Sequence, residues 1–566
     1  MKSKVNKVIV VGGGAAGWFA ASWLKIKNPE MEIKLIESGE VPAIGIGEST
    51  IPQLGQLMHE MGLEERDWLS HCHGLYKLGN KFVGWNKEGK RDHVSNHYWS
   101  SKFDEQYYSF SFALPEKFIA SSFYNQLKPE DFFHNSKGDL GVDDKWNDYW
   151  LQLLRDGRRN EWEMAEDTME ATYLMDLNKS AFDWNDYKMV GEWQGVTYHV
   201  DAERFPGIIK DKVALPNGVI HITGHVANVN KDEDGYITSL DLKDGTTHEA
   251  DLFLDCSGFH RVLYNEMDVD WVPYEEITTS DVIVAPVKYK NLETDFRPYT
   301  QSYAMDEGWA FVIPLYNRMG SGYVFDSTEI TPEEAKEKFK KYWEGYEFIR
   351  EPRHISWDSG KFDHQWDKNC VAIGMTGAMV EPMEANVLYV AQAGFQLVDR
   401  ILQRAKDNDE IITRSQVVAY NRNMNRLEDG VCDFIEYHYT LTDREDTPFW
   451  AKKKAKGIAE NHKEKCWQEY RRPVNYVGNG VYPDFMWAML ATCMGKFDDS
   501  VELKTKPELL EKANDMFDYL RKSSKRNAIY APTAYEWHKK MLYNDKTHEE
   551  VLEESERARQ ERLNRK

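Results

Sequence analysis

A short β-branched run, Val8 to Val11, leads directly into Gly12-x-Gly14-x-x-Gly17, and an apolar helical pattern follows at once. Glu37 closes the next apolar run, IKLIE, twenty residues after Gly17. No other feature constrains the fold as tightly. Strand, glycine turn, helix, strand and terminal acid at this spacing set a pyrophosphate on a helix N-terminus and a carboxylate on a ribose hydroxyl. The glycines serve a tight turn, close approach of backbone to phosphate, and close packing of helix on strand. Gly12, Gly14, Ala15, Ala16 and Gly17 are the candidate phosphate-side residues, and Glu37 is the candidate ribose ligand. The plain alternative is a glycine-rich turn in an ordinary α/β domain, and the acid at the second strand's end weighs against it.

With 566 residues the chain can bury a large core and hold two or more subdomains. Its net charge of −23 disfavours contact with a nucleic acid backbone. Mean hydropathy is −0.66, and no apolar run is long enough to span a bilayer, so no membrane partner is expected. The N-terminus, MKSKVNKVIVV, enters a strand directly, so no signal peptide is expected ahead of the fold. Six cysteines, at 72, 256, 370, 432, 466 and 493, form no CxxC pair. Reduced thiols in a cytoplasmic setting are the expectation. Aromatic residues make up 13% of the chain, which suits a site that stacks on flat ligands as well as it suits a core.

No internal repeat or low-complexity linker interrupts the sequence. Strand-like runs return at 219–229, 236–242, 251–255, 281–287 and 310–315, and polar, Trp-rich stretches at 86–106 and 125–190 read as insertions. From about residue 388, LYVAQAGFQLVDRIL carries apolar residues at period 3.6, and the region beyond 395 is predicted to be mostly helical. The last 22 residues, from Asp545, read as a charged helix or frayed tail.

Later segments narrow the cofactor to FAD. Asp255-Cys256-Ser257-Gly258 follows the strand DLFL, where many FAD enzymes return the chain toward the adenosine half. Residues 368–394 read as strand, glycine-rich turn around Gly374, then helix, and such a turn presents backbone N–H groups to the flavin end. One complete glycine fingerprint is present, so a separate NAD(P)H site is not evident. The chain resembles the flavin-dependent tryptophan halogenases. Nine pieces carry the resemblance in sequence order: GGGAAGW (12–18), GIGEST-IPQL (45–54), CHGLYKLGNKFVGW (72–85), YHVDA (198–202), DCSGF (255–259), GWAFVIPL (308–315), GSGYVFDS (320–327), VEPMEANVLYV (380–390) and HYTLTDREDTPFW (438–450).

The resemblance implies an α/β fold, α+β overall, with a Rossmann-like FAD-binding domain of the flavin monooxygenase type over 1–395. A helical module over 396–566 would complete the substrate pocket. It also implies the reaction: reduced FAD (FADH2) meets oxygen to give a flavin hydroperoxide, halide attacks it, and hypohalous acid travels to an aromatic substrate in a separate pocket. A lysine and a glutamate carry the chemistry there, matched by Lys77 in GLYKLGNKF and Glu384 in EPMEAN. Read as one strand over 75–83, Leu75, Lys77, Gly79, Lys81 and Val83 share a face. A lysine among apolar neighbours has its charge disfavoured, which frees its amine for an electrophilic halogen. The bland reading of Lys77 is a solvated strand lysine. Lys81 reads as structural, and Glu381 as a carboxylate favoured by a helix N-terminus.

Glu48, Ser49, Thr50, Asp255, Gly374 and Leu388 join the glycine turn as implied flavin-side residues. Asn386 and Val387 open a helix and offer N–H groups to a halide. The family commonly has a Ser-Thr-Gly-like triplet after the glutamate, whereas this chain has Ala385-Asn386-Val387. Chloride, bromide and iodide therefore all stay open. Trp309 and Phe311 match a W-x-W-x-I-P signature with its second Trp replaced, and wall flavin from substrate. Tyr439, Glu445, Phe449 and Trp450 occupy the positions that hold tryptophan in relatives, His438 stands where several have a second Tyr, and Tyr107 to Phe110 is a degraded Y-H-P-F piece. The set that clamps free tryptophan is incomplete, so the implied substrate is an indole, a phenol or a similar arene. A separate NAD(P)H-dependent flavin reductase and a homodimer are the implied partners. His71-Cys72-His73 lacks zinc spacing, and no metal is expected. Two other readings remain: a single-component flavin monooxygenase, disfavoured by Gly374-Met375 where Gly-Asp is typical, and a non-catalytic flavin-binding relative.

Overall fold

The computed structural model describes residues 1–39, 46–51, 53–86, 107–111, 145–161, 163–168, 171–185, 190, 196–457, 484–496, 503 and 505–564. Most of the two Trp-rich stretches and Cys466 lie outside these residues, as do the side chains of Tyr107 to Phe110. The opening motif folds as strand β1 (Lys7–Val11), helix α1 (Ala15–Lys27) and strand β2 (Glu32–Glu37). Five short strands follow: β3 (Gly47–Ser49), β4 (Leu75–Lys77), β5 (Gly79–Val83), β6 (Tyr107–Ser111) and β7 (Thr197–Asp201). Next come β8 (Ile220–Thr223) and β9 (Leu252–Asp255). An antiparallel run then gives β10 (Asp281–Val287), β11 (Tyr299–Met305), β12 (Gly308–Pro314), β13 (Met319–Phe325) and β14 (Arg353–Ser356). After β15 (Cys370–Ala372) come the helices α2 (Val387–Asp407), α3 (Arg414–Thr440) and α4 (Pro448–Lys456).

One sheet holds the order β15-β9-β1-β2-β8, all parallel, with Trp366–Asp367 added antiparallel at the β15 edge. Helix α1 packs on the Val8 and Val10 face and the strand Ile237–Leu242 on the Ile9 and Val11 face, so Val8 to Val11 are buried on both sides and the run is continuously apolar rather than alternating. The second large sheet has the order β14-β10-β13-β12-β11-β5-β6, antiparallel except where β5 runs parallel to β11. A third, β3-β7-β4, is small and antiparallel. The fold is α/β, as expected. The predicted strands form at 220–223, 226–231, 237–242, 252–255, 281–287 and 308–314.

One expectation fails. Residues 75–83 are not a single strand: the chain breaks at Leu78, whose N–H donates to the Pro298 carbonyl at 2.7 Å. β4 then pairs with β7 while β5 pairs with β11 and β6. Lys77 and Lys81 consequently belong to different sheets. Lys81 is a buried structural residue, paired with Asp176 and lying over the Tyr299 ring.

Among the described residues every strand lies before Val380, and the elements that follow are helices. A buried clasp fastens α2 to the parallel sheet's first helix: Trp23 Nε1 donates to one Asp399 oxygen at 3.1 Å and Asn28 Nδ2 to the other at 3.0 Å. The charged tail forms a helix, His548–Asn564.

Candidate functional site

The site begins at the glycine turn. Gly12 has φ +118°, and a Cβ there would strike the Cys256 carbonyl oxygen. A Cβ on Gly17 would strike the Gly12 carbonyl. Gly14, the N-cap of α1, meets no heavy atom within 4 Å. No side chain caps α1 and no acid sits in its first turn, so no capping side chain takes up the first amides of the helix. That is the form of an anion cradle. Glu37 ends β2 beside this turn. Its Oε1 accepts from His221 Nε2 at 2.7 Å and from Lys210 Nζ at 3.4 Å.

Asp255 is placed differently from a ligand-facing acid. Its carboxylate accepts from Ser257 N–H and Oγ on one oxygen, and from the Leu263 and Tyr264 N–H groups on the other. Four donors from its own turn use it up, although burial pushes its carboxyl upward. Gly374, with φ +64°, turns the chain where α1 and α2 converge; a Cβ there would sit 3.2 Å from Ala391 and 3.6 Å from Ala16. Two crevices flank the start of α2. One is lined by Ala16, Phe19, Thr50, Ile51 and Leu388, the other by Gly374, Met375, Asn386, Val387 and Glu428. The sequence-predicted residues Ala16, Thr50, Gly374, Asn386, Val387 and Leu388 are thus brought around one helix N-terminus. Asn386 is buried, and its Nδ2 has no hydrogen-bond partner among the described residues.

Lys77 lies just behind this region and is fully buried. Its Nζ donates to Ser49 Oγ at 2.6 Å and to the Thr50 carbonyl at 3.2 Å. The hydroxyls continue inward, Ser49 Oγ to Thr300 Oγ1 at 2.9 Å and Thr300 Oγ1 to His199 Nε2 at 2.8 Å. Burial pulls the Lys77 amine down to about 7, against the opposing charge of Glu384. Half-buried Glu48, on the same β3, is pushed up to about 7.

Glu384 is also fully buried, on the turn before α2. Its neighbour Ala385 takes φ +56°, a left-handed conformation that swings the chain into the helix. Glu384 Oε2 accepts from Asn80 Nδ2 at 3.1 Å, and Oε1 lies 2.9 Å from His438 Nε2. The break at Leu78 makes this possible: it lets β4 supply Lys77 and β5 supply Asn80 from two different sheets.

On the other side stands a wall of rings. Trp309 and Phe311 lie on β12, both buried. Trp85 lies 6.4 Å from Trp309, and 5.4 Å from both Tyr439 and Trp450, by ring centroids. Phe449 meets Tyr439 edge-on at 5.8 Å. Glu381 sits buried beneath them. It accepts from Tyr439 OH at 2.9 and 3.0 Å and from Thr279, and burial pushes it up to about 7. Lys453 adds its amine over the Tyr439 ring at 4.9 Å. Glu445 stands apart, more than half exposed and paired with Lys454 at 2.6 Å.

Sequence reasoning missed Asn80, Trp85, His221, Thr300 and the pairing of His438 with Glu384. Asn80 lies inside the same GLYKLGNKF piece as Lys77, three residues further on.

Residues 7–502 match the family model for tryptophan halogenase. A tryptophan 6-halogenase from Streptomyces albogriseolus is 27% identical over 483 residues, covering 84% of each chain. A tryptophan 7-halogenase from Lentzea aerocolonigenes is 28% identical, covering 82% of each. Among solved structures, a tryptophan halogenase from Shewanella frigidimarina aligns with TM-score 0.78 at 21% identity, covering 97% of this chain and 99% of its own. A flavin-dependent halogenase from Xanthomonas campestris gives 0.76 at 22%, covering 95% and 98%. With the family model spanning most of its length, this chain belongs to the tryptophan halogenase family and is an enzyme of that flavin-dependent, oxidoreductase type.

Proposed function

We propose that the enzyme uses reduced FAD, oxygen and a halide ion to halogenate an electron-rich arene of the indole or phenol type. The observation that carries this reading is the Lys77–Glu384 pair. Both side chains are fully buried, Lys77 is joined through Thr50 to the crevice at α2, and Glu384 is joined through His438 to the ring wall.

The chain's open cradle fits a dinucleotide. Gly12, Gly14, Ala15, Ala16 and Gly17 would hold the pyrophosphate, Glu37 the ribose, and Glu48, Ser49, Thr50, Gly374 and Leu388 the flavin end. Asp255 holds the turn beside them. Bound there, reduced FAD supplies the electrons with which oxygen oxidises halide to hypohalous acid. The Val387 N–H at the start of α2 and the side-chain amide of Asn386 are the halide's donors.

Lys77 then acts as a neutral amine. It holds hypohalous acid by a hydrogen bond, or takes its halogen: the N–halogen bond forms as the O–halogen bond breaks, and the amine proton leaves with the hydroxide as water. The C–halogen bond forms as the N–halogen or O–halogen bond breaks, and Glu384 takes the ring proton when the arene regains aromaticity and passes it to the nitrogen or hydroxide that gave up the halogen. Trp309 and Phe311 keep flavin and arene apart, while Tyr439, Phe449 and Trp450 wall the arene. Residues 1–395 form the FAD-binding core in this reading and 396–566 complete the pocket. The single glycine fingerprint assigns flavin reduction to a separate NAD(P)H-dependent reductase, and the family analogy assigns a homodimer.

The test is an assay of purified protein with FAD, NADH, a flavin reductase and a panel of indoles and phenols, with chloride, bromide and iodide in separate tubes. A halogenated product that requires the wild-type protein and disappears in Lys77→Ala, with FAD binding kept, is the expected result. A product that gains only oxygen, or halogenation unchanged in Lys77→Ala, would overturn the reading.

A further inference from the structure

Two buried polar groups with no partner among the described residues line the crevice of Gly374 and Met375 at the start of α2. Asn386 is the N-cap residue of α2, yet its side chain makes no capping bond, and its Nδ2 is the first of the two. Glu428, on α3, supplies the second and is 2% exposed. Its Oε2 accepts from Gln365 Nε2, whereas its Oε1 has no partner among the described residues. Val390 and Val431 add apolar walls, and among the described residues no other ionisable side chain lines the crevice.

The protonation of Glu428 follows from its surroundings. Burial pushes its carboxyl up to about 8, against the Gln365 hydrogen bond and the charge of Lys361. Lys361 is itself paired with Asp429 at 2.7 Å, and Tyr274 OH donates to the same Asp429 oxygen at 3.3 Å. Asp429 is a like charge that further disfavours ionisation of Glu428, and burial holds the nearby Tyr420 phenol in its neutral form. At neutral pH the Glu428 carboxyl keeps its proton. With Oε2 accepting from Gln365, the hydroxyl is Oε1. The crevice therefore gathers that hydroxyl, the Asn386 amide and the Val387 N–H of the first turn of α2, all of them donors. Buried donors without an acceptor are costly, and this set calls for a small ligand that only accepts.

We propose that Glu428 is a halide ligand, its carboxyl hydroxyl donating to the ion beside Asn386 and Val387. This rests on the placement of the halide at α2 given above. The carboxyl attracts an anion and the carboxylate repels it, so halide binding and the Glu428 proton are linked. Halide affinity is fully present below about 8 and is lost as pH rises above it, by up to about tenfold per pH unit.

The line width of the chloride NMR signal with the FAD-loaded protein, and its reversal by bromide, reads halide binding without turnover. In wild type, affinity should fall about tenfold or more between pH 8 and pH 9.5. Glu428→Gln offers an N–H donor and has no proton to lose, so that alkaline loss should vanish and the variant should bind about tenfold tighter than wild type at pH 9.5. Glu428→Leu removes the donor and should weaken binding about tenfold at pH 7, with the halide KM rising by the same factor. An alkaline loss that persists in Glu428→Gln, or a Glu428→Leu protein that binds halide as wild type does, would overturn the proposal. Should Glu428→Leu not fold, the pH profile of Glu428→Gln decides alone. A wild-type protein whose chloride binding depends on Glu428 but which halogenates nothing would refute the proposed function alone. Halogenation with a halide KM indifferent to both variants would refute only this role of Glu428.

Discussion

Lys77 is a stability liability that its proposed role as a neutral amine explains. Its amine is protonated in the unfolded chain below 10.5 but is held at about 7 when folded. Between those values the unfolded state binds more protons, so stability rises with pH across the window and the cost is fully present at pH 7 and below. Three and a half units correspond to about 4 to 5 kcal/mol as an upper bound. Lys77→Met removes that cost but strands Ser49 and the Thr50 carbonyl, leaving a net gain of roughly 1 to 3 kcal/mol at pH 7. Calorimetry should therefore show a higher Tm for Lys77→Met at pH 7, with the advantage shrinking by pH 10. A lower Tm at pH 7, or a pH-independent gain, would contradict the assigned burial. The position of Lys77 was legible because its motif is local. Its depressed amine was legible only as a tendency, since the burial that lowers it, and the Ser49 hydroxyl, Thr50 carbonyl and Glu384 carboxyl around it, come from other segments of the chain.

At the scale of elements, the glycine turn separates two kinds of glycine that look alike in sequence. Gly17 is a packing position: its missing Cβ leaves room for the Gly12 carbonyl. Gly14 borders open space. Gly17→Ala should destabilise the FAD-free protein by about 1 to 3 kcal/mol, because backbone must move. Gly14→Ala should leave its melting unchanged and weaken FAD binding tenfold or more. Denaturant titration of the two FAD-free variants, together with flavin fluorescence, checks both, and a destabilised Gly14→Ala with normal FAD affinity would reverse the assignment. The sequence displayed β1, α1 and β2 because apolar run, glycines, apolar helix and a second apolar run follow one another between Lys7 and Glu37. It hid the break at Leu78 because nothing local marks it. The N–H of Leu78 turns to Pro298, some 220 residues away, and the two halves join different sheets.

Across the whole molecule, the pocket is assembled from segments far apart in the chain, and their polar groups are largely committed to one another. Tyr439 gives its hydroxyl to Glu381, and the Trp450 indole N–H goes to the Met305 carbonyl at 2.7 Å. Glu445 points to Lys454 at the surface. The rings that would stack on an arene are present, but these groups, which match the amino-acid clamp of tryptophan halogenases by sequence, are not free to hold an ammonium and a carboxylate. Bringing a zwitterion beside them costs desolvation without new hydrogen bonds, on the order of 1 to 3 kcal/mol on mutational scales. The ring itself gains the same stacking either way, about 1 kcal/mol for a good pair. The difference should appear in substrate preference, with kcat/KM for 3-methylindole exceeding that for free tryptophan by tenfold or more. Tenfold corresponds to about 1.4 kcal/mol at 25 °C, within that desolvation cost. Steady-state kinetics with the two substrates at saturating halide and reductase decide the matter. Tryptophan preferred over 3-methylindole would mean that the clamp re-forms when substrate enters, with Tyr439 leaving Glu381 and Glu445 turning inward from Lys454.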